Sequence, residues 1–162
     1  MVSIATLALL FTSAIATPIA RQIAIPEGWE WQVENWEAGC SRSGCYYNFN
    51  VTVPSIENQL GVIAACSGSE QGYDNSFTIP STYVQCRTLA GGDNVAAARL
   101  SLREPGLGPK EIDISFVLPG NPNSDPPRPA YNFSGSHEAK YNQFVSPPFD
   151  FTVTPDKVFG IA

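Results

Sequence analysis

The chain offers few side chains suited to acid–base or nucleophilic chemistry. Its single histidine, His137, lies in Ser134-Gly135-Ser136-His137-Glu138, a stretch typical of a solvated turn. Nucleophilic hydrolysis requires a nucleophile, a base and a group that orients the base. No Gly-x-Ser-x-Gly segment that would present a serine nucleophile occurs. We therefore predict that His137 is an ordinary surface residue and that the chain has no catalytic residue of this type.

Paired carboxylates are the second candidate for catalysis, because two acids that face each other across a cleft hydrolyse glycosidic bonds. Glu30 and Glu34 lie in one predicted strand, and Asp113 lies in a later one. All three alternate with apolar residues, which is where an ordinary strand carries its solvent-facing charges. The pattern favours surface acids over a catalytic pair.

No metal or cofactor is predicted. Zinc sites combine closely spaced cysteine pairs with further cysteine or histidine ligands, and His137 is distant in sequence from every cysteine. A copper-dependent oxidative enzyme would need an N-terminal histidine, which neither Thr17 nor Gln22 supplies. Phosphate loops, dinucleotide fingerprints and calcium loops are also absent from the sequence.

The cysteines indicate disulfides. An even number of cysteines in an exported chain is typical of a disulfide framework, and the four here are Cys40, Cys45, Cys66 and Cys86. Three pairings are possible. We favour Cys40–Cys45, which closes a short Ser-Arg-Ser-Gly turn, and Cys66–Cys86, which would tie neighbouring strands and contribute roughly 3 kcal/mol. The other pairings remain open at this point.

Three tryptophans are candidates for binding. Clustered tryptophans can stack on sugar rings or anchor a protein partner. Trp29 and Trp31 have the spacing of one strand face, and we expect a core to take that face. Trp36 is out of that register. We predict Trp36 to be the exposed aromatic residue.

The N-terminus predicts export. An apolar segment over residues 1–11 is followed by Thr12-Ser13-Ala14-Ile15-Ala16, which ends in small residues, so we predict a signal peptide over 1–16 with cleavage after Ala16. The segment is too short for a membrane-spanning helix. Residues 17–28 form a short N-terminal segment that a second protease could trim after Arg21. Asn50 and Asn132 begin Asn-x-Ser/Thr sequons and are candidates for glycosylation.

Charge narrows the choice of partners. The chain carries a formal charge of −6, and the predicted signal peptide contains no charged residue. This balance argues against nucleic acid and anionic lipid, which both reward lysine and arginine. No other apolar run reaches the length of a membrane span. We therefore predict a secreted, extracellular protein with neither nucleic acid nor membrane as its partner.

Alternation of apolar and polar residues predicts strands throughout the mature chain. The clearest strand runs over residues 45–53, and another covers 111–118. Residues 95–102 are read as a strand that forms a hairpin with residues 82–89, and the proline-rich segment 119–129 is read as a loop. We predict one domain over residues 29–162, an all-β antiparallel sandwich or barrel of about seven or eight strands with two disulfides.

These strands and cysteines also carry a resemblance. The strand Trp29-Glu30-Trp31-Gln32-Val33-Glu34-Asn35-Trp36, then Cys40, the strand beginning Cys45-Tyr46-Tyr47-Asn48-Phe49, and finally Cys66 and Cys86 resemble small secreted fungal proteins similar to the major Alternaria allergen, over about residues 29–118. The resemblance implies a β-barrel or sandwich, roles in plant-cell recognition, effector activity or allergenicity, and no catalytic residues. Cys66–Cys86 looks like the family's strand-linking bridge. The Cys40–Cys45 pair departs from the allergen's other bridge. No cysteine before Cys40 exists to link two chains, so no disulfide-linked dimer is implied.

The sequence thus leads to two main hypotheses about function. The first is a secreted, non-catalytic protein, effector-like or allergen-like, that binds a host extracellular protein or a small ligand. The alternative is a carbohydrate-binding module or small glycosidase that acts on cell-wall polysaccharide, with Trp29, Trp31 and Trp36 as contacts. A structural cell-wall protein is a third possibility.

Overall fold

The computed structural model describes residues 24–41, 44–56, 60–71, 82–102, 109–124, 127–140 and 149–161. The predicted signal peptide, and residues 17–23 of the segment that follows it, lie outside the described residues. The described residues form ten β-strands and no helix, so this part of the chain contains no helix long enough to cross a membrane.

The strands form two five-stranded antiparallel sheets, which confirms the predicted all-β antiparallel fold and selects a sandwich over a closed barrel. The first sheet has the order β5-β3-β2-β1-β9 and the second has the order β10-β8-β7-β6-β4. The strands are β1 (Trp31–Ser41), β2 (Gly44–Val53), β3 (Val62–Gln71), β4 (Val84–Gln85), β5 (Arg87–Ala90), β6 (Val95–Leu102), β7 (Pro109–Leu118), β8 (Ala130–Glu138), β9 (Phe149–Val153) and β10 (Lys157–Ile161).

The core lies between the two sheets and is formed by the side chains of every second residue of the long strands. In β2 the buried residues are Cys45, Tyr47, Phe49, Val51 and Val53. In β7 they include Ile112, Ile114, Phe116 and Leu118. This period of two is the pattern that strands show when one face is buried and the other faces solvent.

A bulge in β1 changes which of its residues point inward. Asn35 has φ 57°, and Asn35 and Trp36 together lie opposite Phe49 alone, because the pairing with β2 shifts between Glu34 and Glu37. A bulge of this kind inserts one residue and re-aims the side chains that follow it. Trp36 therefore joins the inward face and is buried, so the prediction that it is exposed was wrong.

The chain changes sheets at Cys86. Before it, β4 pairs with β6 of the second sheet; after it, β5 pairs with β3 of the first. The predicted hairpin between residues 82–89 and 95–102 is therefore only half correct.

The Cys66–Cys86 disulfide links this crossing to β3, and the Cys40–Cys45 disulfide links directly paired positions of β1 and β2. Both disulfides are those that we favoured.

Strand β8 was missed from the sequence. The stretch around His137, read as a solvated turn, is the end of a strand that pairs with β7 and β10. Its inward residues are Tyr131, Phe133 and Gly135. A Cβ at position 135 would come within 2.7 Å of the Thr154 carbonyl oxygen, so glycine is required where the link between β9 and β10 crosses β8.

Candidate functional site

The three tryptophans are core residues. Trp29, Trp31 and Trp36 are 6%, 0% and 2% exposed. The Trp29 indole N–H donates to the Pro54 carbonyl at 3.0 Å, and the Trp36 indole N–H donates to the Lys140 carbonyl at 2.9 Å. Trp31 packs edge-on against Trp29 and Phe116. None of the three offers a ring face to solvent, so no tryptophan platform for a ligand exists.

The candidate acids do not face one another. Glu34 lies on the outer side of β1 in the first sheet, next in sequence to the buried Val33. Asp113 lies on the outer side of β7 in the second sheet, where it is paired with Arg99. Glu30 is exposed just before β1 begins. Because Glu34 and Asp113 lie on opposite outer faces of the sandwich, they cannot act on one glycosidic bond.

His137 lies at the end of β8, half-buried, and its ring stacks on Phe151 with the centroids 4.1 Å apart. Burial, followed by the nearby Lys140 ammonium, lowers the pKa of His137. Trp36, Phe149 and Asp150 join these residues around a cavity of about 80 Å³. None of the described residues that line it carries a hydroxyl or thiol nucleophile. The stack of His137 on Phe151 is a packing contact at the edge of the core.

A larger depression lies on the outer face of the second sheet, with a volume of about 270 Å³; we call it the sheet-two groove. Its lining residues are Tyr83, Arg99, Asp113, Asn132, Ser134, Gly135, Ser136, Lys157 and Phe159. The groove follows from side-chain size. Ala97, Ser115 and Ser134 occupy directly paired positions across the middle of this face, and larger side chains flank this row on both sides. Ser115 is only 4% exposed.

One wall of the groove consists of an ion pair and an aromatic ring. The Arg99 Nε atom lies 2.8 Å from Asp113 Oδ2, and Arg99 and Asp113 are paired across β6 and β7. The Arg99 guanidinium also lies over the ring of Tyr83, 4.4 Å from its centroid. Burial, with a further contribution from Asp113, raises the pKa of Tyr83. A partly exposed ion pair adds little stability, but here three planar groups lie beside one another.

The opposite wall carries an amide and an exposed ring. The Ser115 hydroxyl donates to Asn132 Oδ1 at 2.6 Å, which leaves the Asn132 amide nitrogen without a hydrogen-bond partner among the described residues. Phe159 is paired with Asn132 across β8 and β10 and is 59% exposed. Lys157 is paired with Ser134 in the same way. This wall therefore offers the Asn132 amide donor and the Lys157 ammonium next to an apolar surface.

Together the two walls can donate and accept hydrogen bonds and stack on a ring. The lining residues carry two cations and one anion. Arg99 is paired with Asp113, and Asp156, which lies outside the lining, offsets the charge of Lys157 from 3.8 Å away. No group of three or more histidine, cysteine or acidic residues that could hold a metal ion occurs in the described part of the chain. The groove is suited to a small polar ligand with an apolar face.

The sequence alone did not identify the groove. The opposite charges of Arg99 and Asp113 are a signal of cross-strand pairing, but they become neighbours only once the register of β6 against β7 is known. A shift of one residue would move either side chain to the opposite face. Nothing in the sequence marked Phe159 as an exposed residue, because a lone aromatic residue in a short C-terminal strand has the pattern of a core residue.

The fold and groove define a class: a disulfide-linked antiparallel β-sandwich with a polar groove on one outer face. No family model, curated protein or solved structure matches the chain. The resemblance to allergen-like fungal proteins stays a prediction.

Proposed function

We propose that this chain is a secreted, non-catalytic binding protein that holds a small polar ligand in the sheet-two groove. The observation that carries the proposal is the convergence of Asn132, Lys157 and the Arg99–Asp113 pair with the exposed ring of Phe159. Ligand sites typically combine a few fixed polar groups with apolar surface in a concave setting. The groove has this composition.

The dimensions of the groove favour a small ligand over a folded host protein. Its volume of about 270 Å³ lies just below the range of about 300–1,000 Å³ that is common for small-molecule sites. The near balance of charge favours a neutral ligand. A host protein could still use the groove by inserting one side chain, and this possibility is an outcome of the test below.

A carbohydrate is the second candidate ligand. Saccharides have an apolar ring face and many hydroxyl groups, which suit Phe159 beside Asn132 and Asp113. The candidate now depends on Phe159 and Tyr83, since the tryptophans are buried. A glycosidase is less favoured because Asp113 is the only carboxylate among the described lining residues, and hydrolysis requires a pair.

Export is supported by the two disulfides, because such bonds persist in oxidising compartments. The N-terminal segment predicted as a signal peptide points the same way. The more specific proposal, a role in contact between a fungus and a plant host, rests on the resemblance to allergen-like proteins.

The proposal can be tested with unglycosylated protein from a bacterial periplasm, in which both disulfides can form. Ligand-detected NMR would screen polar fragments, mono- and oligosaccharides, and small-molecule fractions of plant apoplastic fluid. Phe159→Ala removes the exposed ring of the groove. Tyr46→Ala is the matched control, since Tyr46 is 52% exposed on the first sheet.

Support would be at least one ligand whose affinity falls about 3- to 10-fold in Phe159→Ala, as expected for loss of one aromatic contact, and is unchanged in Tyr46→Ala. The proposal is wrong if every ligand found binds both variants equally. It is also wrong if no compound binds and a host protein recovered from apoplastic fluid binds Phe159→Ala as well as the unmodified sequence.

A further inference from the structure

The Asn132 sequon lies in the wall of the sheet-two groove. Asn132 and Ser134, its first and third residues, both line the sheet-two groove. The Asn132 side-chain oxygen accepts the hydroxyl of the nearly buried Ser115. The nitrogen of the same amide is the atom that N-glycosylation modifies, and it has no hydrogen-bond partner among the described residues. The oxygen is thus held at the sheet while the nitrogen remains available at the groove.

We propose that Asn132 is an N-glycosylation site whose first N-acetylglucosamine lies in the sheet-two groove against Phe159, so that the glycan and a ligand exclude each other. The exclusion rests on the proposed function. The modification rests on the predicted export and on the Asn132 sequon, and the seat of the sugar rests on the positions of Asn132 and Phe159 in the folded protein. Neither depends on the binding of a ligand.

The modification needs a lipid diphosphate-linked oligosaccharide as the donor, and a transferase of the secretory pathway to act on the chain. A bond forms between Asn132 Nδ2 and C1 of the first sugar. The bond between C1 and the diphosphate oxygen breaks, and the lipid diphosphate leaves with its electron pair. The amide nitrogen loses one proton, which the transferase or water accepts. Transfer takes place on the unfolded chain, so the position of Asn132 within a strand does not prevent it.

The folded protein has room for the attached sugar. Phe159 is the cross-strand partner of Asn132 and both line the groove, so the exposed ring is a neighbour of the Asn132 side chain. An apolar pyranose face can cover that ring. Lys157 and Ser134, the next pair towards the middle of the groove, can contact the sugar hydroxyl groups. A sugar on Asn132 would thus cover the Phe159 ring, which is otherwise exposed to water.

The second sequon supplies a control. Asn50 lies on β2, the central strand of the first sheet, and is paired with Glu34 and Ala65. It is on the opposite outer face of the sandwich from the groove, between the inward-facing Phe49 and Val51. A glycan at Asn50 would leave the groove open, whereas one at Asn132 would fill it.

The test uses the full chain secreted from a eukaryotic host, with glycan occupancy at each sequon measured by glycopeptide mass spectrometry. Groove access is measured as the rate at which N-hydroxysuccinimide acetate acetylates Lys157, relative to the exposed Lys140. Unglycosylated periplasmic protein gives the baseline. An endoglycosidase trims the glycans to one N-acetylglucosamine. Ser134→Ala removes the sequon and keeps Asn132, while Ser134→Thr keeps the sequon. Asn50→Gln removes the other glycan.

We expect Asn132 to carry glycan and the relative rate at Lys157 to fall at least threefold below the baseline. The reduction should persist after trimming to a single sugar and in Ser134→Thr and Asn50→Gln, and should disappear in Ser134→Ala. An unmodified Asn132 in the secreted chain would overturn the inference, as would a glycan that leaves the Lys157 rate at the baseline. Neither result affects the proposed function, which is tested on unglycosylated protein.

Discussion

The ring of Tyr47 lies over the backbone of Gly68, its cross-strand partner on β3. From there its hydroxyl crosses the core and donates to the Ala98 carbonyl of β6 at 2.9 Å. This bond is buried and links the two sheets, so it also fixes the distance between the first sheet and the back of the sheet-two groove. A Cβ on residue 68 would collide with the Tyr47 ring.

Gly68→Ala should destabilise the fold. The Tyr47 ring cannot move away without losing the bond to Ala98, so we expect the free energy of unfolding to fall by about 1–3 kcal/mol, as for other overpacked cores. Urea denaturation measures this change. Gly160→Ala is the matched control, since the nearest atom to its Cβ would be 4.0 Å away. The same loss in both variants would contradict the argument.

Tyr47 should also make stability depend on alkaline pH. Burial, with a smaller contribution from Glu70, raises the pKa of Tyr47 from 10.0 to about 12. Between these values the unfolded chain loses the phenolic proton while the folded chain keeps it, so stability falls as pH rises. The loss should reach up to about 2–3 kcal/mol by pH 12, at about 1.4 kcal/mol per pKa unit.

The measurement is urea denaturation from pH 8 to 11.5 for the unmodified chain and for Tyr47→Phe. At pH 8 the variant should be less stable by about 0.5–1.5 kcal/mol because one hydrogen bond is lost. The gap should shrink or reverse above pH 10, because phenylalanine has no proton to lose. A constant gap for Tyr47→Phe would refute the assignment.

The two disulfides should contribute unequally. Cys66–Cys86 closes a loop of 20 residues and Cys40–Cys45 a loop of 5. In the chain-entropy model these loops correspond to about 3 and about 2 kcal/mol. The double variant Cys66→Ala/Cys86→Ala should therefore lose more stability than Cys40→Ala/Cys45→Ala, and thermal melting would rank them. Because Cys66–Cys86 also fixes the crossing between sheets, an equal or reversed order would show that the crossing is held by other contacts.

The sequence predicted those elements whose faces differ most in polarity. Strand β2 alternates without interruption, and its register with β1 follows from the short turn between Cys40 and Cys45. Strand β8 does not show this contrast between its two faces, because its outward residues are small and polar and one of its inward residues is Gly135. With no large inward side chain there, the period of two is lost at the end of the strand that contains His137.

The sequence did not predict the positions of side chains that depend on a backbone irregularity or on pairing between strands distant in sequence. The bulge at Asn35 turns Trp36 from the outer face to the inner face of the sheet, and nothing in the local sequence pattern requires this bulge. A residue of β9 stabilises it: Asp150 Oδ1 accepts a hydrogen bond from the Asn35 backbone N–H at 2.9 Å. The groove requires β6, β7, β8 and β10 to be in register at once. Each register is set by the packing of the whole core, which local alternation does not encode.

Trp36 provides a direct test of that bulge. If Asn35 adds the extra residue, all three tryptophans are in the core, and acrylamide should quench the folded protein's tryptophan fluorescence several-fold less than that of the urea-unfolded chain. Trp36→Phe should leave the remaining emission equally protected. It should also destabilise the protein by about 1–3 kcal/mol, since the partly buried hydrogen bond to the Lys140 carbonyl is lost and the contacts with Phe49 and Phe151 are reduced. If a third of the emission is quenched readily, and that fraction disappears in Trp36→Phe, then Trp36 faces solvent and β1 continues without a bulge.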